Sequence, residues 1–109
     1  MSMLMTTTPT VEGRPVRQYL GVVTSEAVMG TNLFSDFFAS VRDIVGGRSG
    51  SYEQILRDAK SEAMAELAEQ AGQLGADAIV GISLSHQVIG GDKKTMLVVL
   101  ASGTAVRLG

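Results

Sequence analysis

From Val16 to Val28 the chain carries Tyr19, Leu20, Val22, Val23 and Val28, which favour strand, and apolar side chains fall on both faces of the two-residue alternation. This predicts a first strand, broken by Gly30. Leu33, Phe34, Phe37, Phe38, Val41, Ile44 and Val45 then recur at helical spacing, with Asn32 or Ser35 available as a cap, so a short helix is expected up to Gly46-Gly47. A longer helix follows. Ser51 and Gln54 fit a capping box, and Tyr52, Ile55, Leu56, Ala59, Ala63, Leu67, Ala71 and Leu74 form one stripe. Glu53, Lys60, Glu62, Glu66, Glu69 and Gln73 supply the polar surface. Gly75 stands where a left-handed stop would end it.

Two more strands are expected. Between Ala78 and Ile89, Ala78, Val80, Ile82, Leu84 and Val88 fall on one face and Gly81, Ser83, Ser85 and Gln87 on the other, and Gly90-Gly91-Asp92 turns the chain. The third strand, Thr95 to Leu108, opens with Met96-Leu97-Val98-Val99-Leu100-Ala101 and is apolar on both faces there. The pattern predicts an α+β domain with an antiparallel three-stranded sheet, one short helix and one long one. Two helices cover one face of such a sheet, so the apolar residues left on strands one and three point to a second subunit packed on the sheet.

Residues 1–15 hold Thr6, Thr7, Thr8, Thr10 and both prolines, Pro9 and Pro15, with little to bury, and read as a flexible N-terminal arm leading into a single domain over 16–109. A chain of 109 residues has room for one core. It is 45% hydrophobic and 18% charged, against roughly 25% charged in an average domain, which argues for order rather than disorder. Nine basic residues are scattered against 11 acidic ones, net −2, so no basic patch offers itself to nucleic acid. No apolar run is long enough for a membrane span or a secretory signal, and the expected location is the cytoplasm. The absence of cysteine removes disulfides, thiolate metal sites and a cysteine nucleophile.

Several blocks in order resemble the YbjQ family, which carries the name of a heavy-metal-binding domain without an established activity. They are Gly21-Val22-Val23-Thr24; Gly30-Thr31-Asn32 with Asp36; Gly46-Gly47-Arg48-Ser49 with Tyr52-Glu53; Leu74-Gly75-Ala76-Asp77-Ala78-Ile79-Val80-Gly81; and Gly103-Thr104-Ala105-Val106. The resemblance spans roughly Val16 to Leu108. It implies an α+β fold whose subunits associate through their sheets into a ring-shaped homopentamer. It implies no reaction, and a cofactor only through the family's name.

The residues themselves offer a few candidate sites. Gly46, Gly47, Arg48 and Ser49 lead into a helix that begins near Tyr52 and Glu53. Free backbone N–H groups at a helix start attract anions, glycines permit close approach, and Arg48 can grip a phosphate or carboxylate through two hydrogen bonds. The same residues also serve as a helix stop, a turn and a cap, with Arg48 paired to Glu53 or to a neighbouring subunit. There is no Walker pattern. His86, the only histidine, falls on the face of Ile82, Leu84 and Val88; one imidazole makes no metal site unless symmetry gathers copies of it, and a histidine satisfied in an interface is the plainer reading. Glu62, Glu66 and Glu69 lie on one helix face as cation donors or as solvated charge. Met1, Met3 and Met5 alternate in the arm. Without a nucleophile elbow or an inward acid pair, the expectation is a non-enzymatic module that binds a small ligand or metal or acts as a scaffold; the alternative is an enzyme with an intersubunit pocket around Arg48, Tyr52 and Glu53.

Overall fold

The structure, a computed structural model, describes residues 3–29, 50–90 and 95–109, with the side chains of residues 50–52 and 95 outside that description. The elements are β1 (Leu4–Met5), β2 (Val16–Met29), α1 (Gly50–Gln73), β3 (Ala78–Gly90) and β4 (Thr95–Leu108). The short helix expected over Leu33–Val45 lies outside the described residues.

Among the described residues the sheet has four strands, in the order β1-β3-β4-β2. β4 pairs antiparallel with both long neighbours, Val22 opposite Thr104 on one side and Ser83 opposite Ser102 on the other. The expectation of three antiparallel strands is corrected by β1, which pairs parallel to β3 through Leu4–Ala78 and Met5–Ile79 and makes the sheet mixed. β1 has no hydrophobic period of its own. Its bonds are backbone bonds, extended by Thr6 N–H to Ile79 O (3.0 Å), Ile82 N–H to Thr6 O (3.1 Å) and Gly81 N–H to Thr8 O (2.8 Å), which any residue could make.

α1 lies over β2 and β4 and presents Ala59, Ala63, Leu67 and Ala71, all fully buried. Three alanines in that stripe let the helix come close to the sheet. Opposite them stand Val23, Ala27, Leu97, Val99, Ala101 and Ala105, with Ile79 and Ile82 beside them. Two polar tethers fix the helix over β2: buried Ser25 donates its hydroxyl to Ala63 O (2.7 Å), and Gln70 Nε2 donates to Thr24 O (2.6 Å). At the C-terminal end of the helix, Ala76 N–H bonds to Ala71 O (3.0 Å) and Gly75 N–H to Gly72 O (3.0 Å), with Gly75 at φ 80°. This is the Schellman arrangement that the position of Gly75 predicts.

One feature of β3 departs from simple alternation. The register shifts between Val80 and Ser83, where Gly81 takes φ 62°, so two residues of β3 face the single Gly103 of β4. Before this bulge Ala78 and Val80 point away from the helix and pack with Val106, Leu108, Val11 and Val16. After it Ile82 joins the helix side. The expectation that Ala78, Val80, Ile82, Leu84 and Val88 share one face therefore fails at Gly81, since a bulge inverts the alternation.

The bulge makes Gly103 a tight position: a Cβ there would stand 2.6 Å from Ile79 Cγ2 and 3.0 Å from Ile82 Cγ1. Gly72, in the helix, faces open space. Gly103→Ala should therefore cost about 1–3 kcal/mol through overpacking, whereas Gly72→Ala should be neutral or stabilise by up to about 1 kcal/mol. Urea unfolding of the two variants checks the contrast.

Candidate functional site

Of the loop expected to bind an anion, Gly46, Gly47, Arg48 and Ser49 lie outside the described residues. α1 begins directly after them at Gly50, and Tyr52 and Glu53 belong to its first turn. Glu53 is half-buried, an acidic group at the positive end of the helix dipole. Gln54, expected in the capping box, sends its amide nitrogen forward to Asp58 Oδ1 (2.8 Å).

His86 sits on β3 opposite Val99, on the helix side of the sheet but beyond the helix's cover, and is exposed between Leu84 and Val88. Glu62, Glu66 and Glu69 are exposed along α1. Met3 and Met5 are partly buried and pack against the main core, which employs their thioether side chains as hydrophobic filling. Among the described residues no three His, Cys, Asp or Glu side chains come together. A soft or borderline metal wants thiolate or several imidazoles. The donors of the described chain do not fit such an ion.

The structure adds a feature that the sequence reading passed over. On the sheet face turned away from α1, Thr24 and Glu26 of β2, Ser102 and Leu100 of β4, and Ser83 and Ser85 of β3 line an open depression of about 320 Å³. The strand register builds it: Thr24, Ser102 and Ser83 form one rung, and Glu26, Leu100 and Ser85 the next. Its lining offers hydroxyls and one carboxylate beside Leu100, which suits hydrogen bonding to polar groups. The polar positions 83 and 85 were legible as an alternation; their meeting with Thr24 and Ser102 needed the register. A second hollow of about 500 Å³ runs along the N-terminal segment between Leu4 and Glu12.

The block Leu74–Gly81 is structural. Asp77 N–H donates to Val106 O (2.9 Å), and Asp77 Oδ2 accepts from Leu108 N–H (2.9 Å), clamping the end of β4 to the start of β3. A Cβ on Gly75 would stand 2.9 Å from Arg107 Nη2, so the guanidinium lies against the helix stop. Its Nε is buried without a hydrogen-bond partner.

A family model described as YbjQ, "Putative heavy-metal-binding", matches residues 3–109. The fold is similar to that of a crystal structure of a protein of unknown function, of the DUF74 family, from Pediococcus pentosaceus ATCC 25745; the TM-score is 0.71 at 19% sequence identity, and all of each chain is covered.

Removing the clamp should loosen the C-terminal end of the sheet. Asp77→Ala is expected to lower stability by about 1.5–3 kcal/mol, the range for a hydrogen bond to a charged group, and to speed amide exchange at Leu108, which hydrogen-exchange NMR would read directly.

Proposed function

The chain belongs to the YbjQ family, and from that premise we propose that it works as a homo-oligomeric module, a ring of five subunits joined through their sheets in the cytoplasm, that acts as a scaffold or holds a small polar ligand. The observation that carries the reading is uncovered apolar surface. On the sheet face away from α1, Tyr19, Val22, Val28 and Leu100 are 68%, 74%, 55% and 41% exposed. They fall on two sides of the polar depression, Tyr19 with Val22 and Val28 with Leu100, and exposed apolar surface on a small domain supports a contact there.

Shape supports the same reading. The Cα radius of gyration is 17.2 Å and the extents are 55 × 23 × 21 Å, whereas a self-contained domain of about 100 residues has a radius near ~13 Å. An elongated chain with a narrow core leaves burial to be completed by neighbours. The number five rests on the family resemblance. The donors of the described residues do not fit a heavy metal; a ligand of phosphate or carboxylate character suits Arg48 and the loop Gly46-Gly47-Arg48-Ser49 with Tyr52 and Glu53.

Two measurements test it. Native mass spectrometry of untagged protein should give a closed multiple of the subunit mass, five-fold on this reading, and Val22→Glu should break it to monomer with the circular dichroism unchanged; a wild-type monomer would overturn the reading. Arg48→Ala should leave the native mass unchanged and abolish the saturable heat that inorganic phosphate or citrate gives in calorimetric titration. If Arg48→Ala instead dissolves the assembly, the loop is a structural element and not a ligand site.

A further inference from the structure

The sheet has two outer edges, and they are treated differently. On β2 the edge is guarded: Thr24 O is already taken by Gln70 Nε2 (2.6 Å), and Arg17 and Glu26 place charge along the strand. On β3 the N-terminal segment covers only the beginning, ending with the bond from Ile82 N–H to Thr6 O. From Ser83 to Gly90 the strand has no outer neighbour among the described residues, and every side chain is exposed. The sequence there, Ser-Leu-Ser-His-Gln-Val-Ile-Gly, has no lysine, arginine, aspartate, glutamate or proline. Proteins normally protect an open edge with those residues. Among the described residues one edge is thus guarded and the other left open.

The hydrogen-bonding phase of the edge can be read from the rest of the sheet. Thr24 O points outward to Gln70, so its partner Ser102 turns its own backbone groups toward β3 and is bonded to Ser83. Ser83, Ser85 and Gln87 therefore face β4, and Leu84, His86 and Val88 present N–H and C=O to the outside. The outward bond from Ile82 N–H agrees with this phase.

We propose that the β3 edge from Leu84 to Val88 is a joint at which a second copy of this chain pairs antiparallel about a two-fold axis through His86. The register is self-complementary. His86 meets its own copy, and Leu84 and Val88 lie opposite Val88 and Leu84 of the second chain, each pair exchanging both backbone hydrogen bonds. Leu84 and Val88, 42% and 49% exposed in the single chain, cover one another. Other centres match these side chains less well: an axis at Ser85 sets Leu84 opposite His86, one at Gln87 sets Leu84 opposite Gly90 and His86 opposite Val88, and one at Val88 sets His86 opposite Gly90. An axis at Leu84 also needs Ile82 N–H, which Thr6 O holds. The joint uses a strand edge, while the proposed ring uses the sheet face, so either can fail without the other.

The lack of native cysteine makes a clean test. In a hydrogen-bonded antiparallel pair the Cα atoms stand about 5.5 Å apart, within the span of a disulfide. Full-length His86→Cys at micromolar concentration with oxidised glutathione should form covalent dimer at least tenfold faster than Glu62→Cys, an exposed control on the helix. Adding Leu84→Pro, which removes an outward N–H without costing a bond to β4, should abolish that advantage, while adding Val22→Glu should leave it unchanged. Dimer formation by His86→Cys no faster than by Glu62→Cys, or equally fast with Leu84→Pro present, overturns the joint. If native mass spectrometry still finds an assembly, the ring reading survives that failure.

Discussion

The fold depends on giving cover to β4. Its first half is apolar on both faces, and it pairs with a long strand on each edge. Leu97 and Val99 are fully buried under α1, which approaches closely because its contact stripe is mostly alanine. On the opposite face the cover is partial. The N-terminal segment brings Val11 and Val16 over Val80, Val106 and Leu108, whereas Val22, Val28 and Leu100 remain open. A helix too narrow for the sheet and an arm too short for its length leave one end of the far face without apolar cover, and hydrophobic burial of that face is the term a partner can add.

The bulge in β3 is the second constraint, and it is coupled to the first through Gly103. Inverting the alternation puts both Ile79 and Ile82 on the helix side, with their side chains on either side of Gly103. Only a residue without a side chain leaves room for both. Gly81 supplies the left-handed backbone of the bulge and Gly103 the space, so two glycines separated in sequence answer one geometric demand. The same bulge gives the domain its second cluster, since without it Ala78 and Val80 would face the helix and the N-terminal segment would have nothing to pack on.

Much of this was legible in the sequence because it rests on local rules. The three long strands fall close to where period-two patterning puts them, and the helix ends where Gly75 allows its stop. What escaped was non-local. β1 is held by backbone bonds that carry no residue signature, and the bulge at Gly81 could be suspected from a glycine in a strand but not distinguished from a plain alternation. The candidate site was less legible still. Arg48 and the glycines before α1 form a chemical pattern outside the described residues, and His86 has its place on a strand without companions. The hydroxyl depression arises only when Thr24, Ser102 and Ser83 are brought into one rung, a fact of register with no trace in any single segment.

That depression limits how the far face can meet a neighbour. Thr24, Ser83, Ser85 and Glu26 are exposed there, between the apolar positions Val22 and Val28. Burying apolar area gains about 25 cal/mol per Å², while each hydroxyl desolvated without a partner costs about 1–3 kcal/mol and a carboxylate more. A dry contact laid over the whole face would lose at its centre what it gains at Val22 and Val28. A ring closed through this face must therefore seal on the apolar flanks and keep the centre hydrated or occupied by a polar ligand. The contact surface and the binding chemistry are thus two consequences of the same register.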